Sequence, residues 1–108
     1  MSRLLVADKD MIACRQIADI LIAAGYDVTV TDSAIGTMEN VLHNNAQVLL
    51  LGTELEELRS AELLPLLKRC NRHLAIILVT DETSLPLMRR LRKEGIFYHA
   101  LRPAESEG

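Results

Sequence analysis

Several things are missing from this chain, and each absence removes a class of function. No apolar run approaches the roughly 20 residues that span a bilayer, and no N-terminal stretch reads as a charged-then-apolar signal segment, so the expected location is cytoplasmic. Cysteine is scarce: Cys14 and Cys70 are the 2 in the chain and lie far apart, without the spacing of a zinc site or a redox pair. Each sits in an apolar helical pattern, which suits a reduced, buried thiol. A basic excess is lacking too. The formal net charge of -3 offers no bulk attraction to nucleic acid or an acidic membrane. Nucleophile elbow, phosphate-cradling glycine loop, paired-carboxylate spacing and Cys-His signature are all absent, which argues against a hydrolase or transferase. No catalytic residue is assigned, and the chain is not expected to be an enzyme.

What is present is a dense alternation of two hydrophobic periods. With 108 residues, 49% of them hydrophobic and 25% charged, one domain with a real core is expected. Residues 1–103 read as that domain and 104–108 as a polar tail or the start of a linker. Arg3 to Ala7 reads as a strand; Asp10 then precedes a helix in which Met11, Cys14, Ala18 and Leu21 form a stripe beside Ile17, Ile20 and Ala24. Gly25 stops it. Asp27 to Thr31 alternates like a half-buried edge strand, and Ser33 caps a second helix with Met38, Val41 and Leu42 inward, ended by Asn44 and Asn45. Val48 to Leu51 and Ala75 to Val79 are uninterrupted apolar runs, as in central parallel strands. Between them Ser60 to Cys70 is helical in pattern, with Pro65 predicting a delayed start or a kink. Ser84 caps a further helix with Pro86 in its first turn; Leu87, Met88 and Leu91 face inward, Gly95 closes it, and Ile96 to Ala100 is the last strand.

This order predicts an α/β fold: a flavodoxin-like, doubly wound, five-stranded parallel sheet, strand order 2-1-3-4-5, with right-handed crossovers. A ligand site in such a sheet lies at the carboxyl ends of the strands. There the sequence places Asp8, Lys9 and Asp10, then Gly52, Thr53 and Glu54, then Thr80 and Asp81, and finally Leu101, Arg102 and Pro103. Four of these strand ends carry a recognisable pattern: "LLVADKD", "QVLLLG", "IILVT" and "LRP". In that order and spacing they resemble a response-regulator receiver domain. In that family the first strand ends in an acidic pair, the third in the phospho-accepting aspartate, the fourth in a hydroxyl residue, and a lysine-proline follows the fifth. The resemblance covers nearly the whole chain and implies a two-component, phosphorelay setting of bacterial type.

The same resemblance marks the departures. Receivers hold Mg²⁺ with two carboxylates and the acceptor aspartate. Asp8 matches the first carboxylate, but Lys9 stands where the second belongs, and Gly52 occupies the acceptor position with no side chain to offer. Thr80 matches the hydroxyl, and Arg102 replaces lysine with a different shape and reach. Pro103 matches the family's proline, whose preceding peptide is typically cis. Asp81 brings a carboxylate where receivers usually have a small residue, and "TELEELRS" lacks the usual Pro and Gly turn signals. Lys9 is expected to supply positive charge in place of Mg²⁺, paired with Asp8, Glu54 or Asp81, so Mg²⁺ binding should be weak or absent and no cofactor is assigned. Solvated loop charges without organised pairing are the plainer reading of the same residues.

Receivers continue past the lysine-proline turn into a fifth helix beside the first. Here only Ala104 to Gly108 remain, so that helix is missing or truncated. Either the chain is a piece of a longer regulator or another subunit covers the face left open, and both predict a partner surface near the first helix and fifth strand. Arg89, Arg90, Arg92 and Lys93 concentrate positive charge on the fourth helix. The simplest reading is the solvated side of an amphipathic helix. The receiver resemblance adds a docking role, with His99 at the family's switching aromatic. His43, His73 and His99 have no metal-ligand spacing.

The expected function is therefore a degenerate receiver that acts, without phosphorylation, as an interaction or dimerisation module regulating an attached or partner output domain. Two alternatives stand beside it. One is a small-anion sensor built on Thr80, Arg102 and strand-end N–H groups; the other is a receiver phosphorylated at a relocated carboxylate, Asp8, Glu54 or Asp81.

Overall fold

Apolar runs too short for helices must pair as strands to satisfy their backbone, and stripes of helical period must then cover the sheet they form. The computed structural model describes residues 3–52, 54–80 and 98–101 and follows this logic. Its elements are β1 (Arg3–Ala7), α1 (Met11–Ala23), β2 (Asp27–Thr31), α2 (Ala34–Leu42), β3 (Val48–Leu51), α3 (Ser60–Cys70), β4 (Ala75–Thr80) and β5 (Tyr98–Leu101). The strands β2, β1, β3 and β4 lie side by side in that order, all parallel, and the backbone of β5 runs parallel along β4. The expected edge strand is at the edge: β2 pairs only with β1 among the described residues, and its side chains are half-buried or exposed.

The two faces of the sheet are buried unequally. Towards α2 and α3, Leu49, Leu51, Ile76 and Leu78 meet Leu63, Leu64 and Leu67, all sealed from solvent. A fully buried Leu or Ile contributes about 1.5–3 kcal/mol, so this layer supplies most of the apolar stabilisation. Towards α1, Val6, Cys14, Ile17 and Val79 form a smaller cluster, and Leu50 and Ile77 beside them remain partly open.

Helix ends follow local chemistry, with three corrections to the sequence reading. Asp10 caps α1, its Oδ1 accepting from the N–H groups of Ile12 and Ala13 at 3.0 and 3.2 Å, and Gly25 takes φ +96 just past the helix end. Ile20, expected beside the inward stripe of α1, is 61% exposed, and Ala24 is exposed at the C-cap; Ala13 is buried in their stead. Only one stripe of a helix can face the sheet, so the margin of a wider apolar set stays in water. Leu42, expected inward, closes α2 at 59% exposure, because Ala34, Thr37 and Val41 already make its buried stripe. Pro65 does not delay α3, which begins at Ser60 and carries the proline inside. The ring removes one N–H donor, and the buried Leu63, Leu64 and Leu67 on the same helix offset that loss. The helix expected from Ser84 to Gly95 lies outside the described residues.

Candidate functional site

Parallel strands bring their carboxyl ends to one rim, so the loops after β1 and β3 meet although they are far apart in sequence. Asp8 follows β1 directly. Its N–H donates to the Thr31 carbonyl at 3.1 Å, and its side chain is turned inward with 5% of its surface exposed. The carboxylate Oδ1 accepts from the Asp10 N–H at 3.1 Å, which folds the loop tightly back before α1. Lys9 lies exposed between them and joins the site through its main chain, whose N–H donates to the Glu54 carbonyl at 2.8 Å. The charge pairing expected of Lys9 includes Asp81, which lies outside the described residues; what the described residues show is this backbone tie. A backbone bond fixes the loop without holding a long side chain in one geometry, whereas an exposed ion pair must offset that entropy with a small Coulomb gain.

Across the rim, Gly52 extends β3. Its N–H donates to the Ala7 carbonyl at 2.8 Å, and its carbonyl accepts from the buried Ser60 hydroxyl at the start of α3. The space above Gly52 belongs to Asp8. A Cβ placed on residue 52 would lie 3.0 Å from the Asp8 Cβ and closer still to its Cγ and Oδ2, well inside contact distance. The carboxylate of the first strand end therefore stands where the side chain of the third strand end would begin.

The loop from Glu54 to Arg59 explains how a segment without Pro or Gly turns at this point. Glu54 and Arg59 form an isolated antiparallel bridge, the Leu55 N–H donates to the Leu58 carbonyl at 3.0 Å, and Leu55 is buried in the larger core cluster. Glu57 reaches across to the N-terminus of α2. Its carboxylate accepts from the Ala34 N–H at 2.7 Å, the Ser33 hydroxyl at 3.0 Å and the Ile35 N–H at 3.4 Å. These donors, led by Ala34, hold the Glu57 carboxyl below its ordinary value. The Glu56 N–H donates to the Asp32 carbonyl at 2.9 Å, which ties the same two loops a second time. Ser33 also accepts from the Gly36 N–H at 3.1 Å, as its capping role predicts.

Glu57 and Ser60 are the site residues that sequence reasoning missed. Ser60 read as a helix start, which it is; that its hydroxyl meets the Gly52 carbonyl is visible only in space. Beneath the site, Cys14 is fully buried with its thiol 3.5 Å from the Asp8 carbonyl, and its pKa is raised to about 11 by burial and then by the nearby Asp8 charge. It is a structural thiol.

Thr80 ends β4 with its backbone opposite Leu101, and the His99 backbone stands opposite Leu78 in β5. The side chains of Thr80 and His99 lie outside the described residues, as do Asp81, Arg102, Pro103 with its preceding peptide, and the basic run Arg89, Arg90, Arg92 and Lys93. The metal set implied by the receiver resemblance does not fit what is described: Asp8 is turned into the Gly52 space, a lysine holds the second acidic position, and residue 52 has no ligand. Among the described residues no group of three or more His, Cys, Asp or Glu is placed to hold a metal ion. No described helix is long and apolar enough to cross a membrane.

Comparison with known proteins follows the same lines. The sequence matches the family described as "Response regulator receiver domain" over residues 4–107. Solved structures share the fold at low identity. A CheY-like response regulator receiver domain protein from Methanospirillum hungatei aligns with a TM-score of 0.87 and 21% identity, covering 96% of this chain and 83% of that one. A two-component response regulator from Clostridium difficile aligns at 0.88 and 14%, covering 99% and 88%. The chemotaxis protein CheY4 of Vibrio cholerae aligns at 0.88 and 16%, covering 96% and 88%. No curated protein sequence matches this one.

Proposed function

The chain belongs to the response regulator receiver domain family, and from that premise we propose that it is a degenerate receiver, a module of two-component signalling that works through protein-protein contacts without aspartyl phosphorylation. One observation carries the reading: the acceptor position is Gly52, and the space above it is filled by the inward carboxylate of Asp8. A phosphoryl acceptor needs an oxygen placed for in-line attack within about 3.5 Å of the donor, and residue 52 supplies none. Lys9 in the second acidic position removes a Mg²⁺ ligand as well, so weak or absent Mg²⁺ binding is part of the proposal.

The two rival readings fare less well. An anion sensor would need donors pointing into the site, yet the N–H groups of Asp8, Lys9 and Gly52 are all taken by carbonyls of the protein. A relocated acceptor at Asp8 would have to be reached by a donor through a side chain only 5% exposed. Within this reading the domain is a cytoplasmic, non-enzymatic, five-stranded receiver over residues 1–103. Its output is set by a partner or attached output domain or by dimerisation, with the Arg89, Arg90, Arg92, Lys93 and His99 side as docking surface and no direct contact with nucleic acid or membrane.

Mass spectrometry after incubation with acetyl phosphate and Mg²⁺ tests it, with Gly52→Asp in parallel. The natural protein should carry no phosphoryl adduct. An adduct mapped to Asp8, Glu54 or Asp81 on the natural protein would overturn the reading in favour of a relocated acceptor.

A further inference from the structure

We infer that Asp8 is the resident occupant of the vacated acceptor space and that residue 52 is held at glycine by the Asp8 side chain, so the two positions form one coupled unit that keeps the site closed from within. This deepens the reading of the site as non-accepting and rests on it. The argument starts from the backbone. A glycine is demanded by conformation only where φ is positive, and among the described glycines only Gly25 has a positive φ. Gly52 is in ordinary strand-end geometry that any residue adopts. Its main-chain groups are engaged at both ends, N–H to Ala7 and carbonyl to Ser60, so the segment has little freedom to retreat. What forbids a side chain is the Asp8 carboxylate, since Oδ2, Cγ and Cβ of that one residue are the nearest atoms to an added Cβ.

Asp8 is equally constrained. Its Oδ1 holds the Asp10 N–H at 3.1 Å, and with 5% exposure it cannot rotate away without giving up that bond and its packed surroundings. Loss of the acceptor side chain and inward placement of the neighbouring carboxylate are therefore two halves of one arrangement. It brings the loop after β1 against the loop after β3 through the Asp8 side chain itself. Replacing Gly52 alone does not reopen the site, because the incoming side chain must first evict Asp8.

A double-mutant cycle tests this on the full chain, using urea unfolding of Gly52→Ala, Asp8→Ala and the double variant. With Asp8 present, Gly52→Ala should lower the folding constant about tenfold, because overpacking forces Asp8 off its bond. In the Asp8→Ala background the same substitution should raise it roughly twofold to fivefold, since the only remaining effect is the reduced freedom of the unfolded chain. A change of sign between backgrounds supports the proposal; equal losses in both would overturn it. If Gly52→Ala fails to fold, Asp8→Ala and Asp8→Ala/Gly52→Ala are compared in its place. Removing the Asp8 carboxylate should let residue 52 carry a side chain, so the double variant should fold and exceed Asp8→Ala in folding constant; its failure to fold would overturn the steric account. A phosphoryl adduct on Glu54 or Asp81 of the natural protein would refute the functional reading alone and one on Asp8 would refute both, whereas additive losses with no adduct would refute the coupling alone.

Discussion

At the scale of single residues, this site is shaped by which neighbour a side chain turns to. At the end of β3 stands Gly52, and Asp8 takes the space that a side chain there would need. Glu57 shows the same principle on the outside of the molecule: a carboxylate from one loop satisfies the exposed N–H groups that open another element, where the helix dipole also favours negative charge. Its pKa is lowered from the ordinary 4.5 in the folded chain, so the unfolded chain binds the proton more readily. The sign follows directly. The Glu57 cap is fully present above the ordinary glutamate range and is lost as pH falls through the lowered folded value. Glu57→Gln should therefore speed amide exchange at Ala34 and Ile35 severalfold at neutral pH and flatten the acid limb of the stability curve. Unchanged exchange and an unchanged acid limb would show that the contact holds nothing. A hydrogen bond spanning 23 residues carries no mark in the local sequence, which is why Glu57 is not singled out by the sequence alone.

At the scale of elements, the strands were legible because their period is short and their residues are unambiguous. Burial on their two faces was not. Both β3 and β4 are apolar at every position of their central runs, which carries no difference between the two faces; in the structure alternate residues divide sharply. Leu49 is sealed at 0% exposure on the side of α2 and α3, while its neighbour Leu50 is only partly buried on the side of α1. Leu49→Ala should cost about 2–5 kcal/mol through lost transfer energy and a cavity that the surrounding leucines cannot fill. Leu50→Ala should cost roughly half as much or less, because part of its side chain is already hydrated. Urea unfolding of the two variants checks the difference, and equal losses would mean that the α1 side is as well closed as the other. The margins of the helices were misread for a related reason. Ile20 and Leu42 satisfy a helical period, but periodicity reports a face and not how far the sheet beneath it extends.

At the scale of the whole molecule, one sheet with helices on its faces should open as a unit, and Cys14 reports on that. The thiol is fully buried and its pKa stands at about 11, so alkylation at neutral pH requires exposure of the core between α1 and the sheet. The opening free energy from Cys14 labelling should equal the global unfolding free energy, whereas the partly exposed Cys70 should label faster. Rapid labelling of Cys14 in native conditions would show that α1 detaches separately. How much the sequence alone determined can be read from the same parts. Hydrophobic period and chain order set the succession of strands and helices. The parallel order of the first four strands brought the residues after β1 and β3 to one rim, and glycine at residue 52 brings no side chain there. Tertiary structure alone decided what fills the space beside it and how the loops were held, through Asp8 over Gly52, Ser60 on the Gly52 carbonyl and Glu57 on α2. Those contacts depend on the rotamer of one side chain against a neighbour distant in sequence. Local propensity and period carry no information about that choice, because it is made only when the packed surroundings exclude the other rotamers.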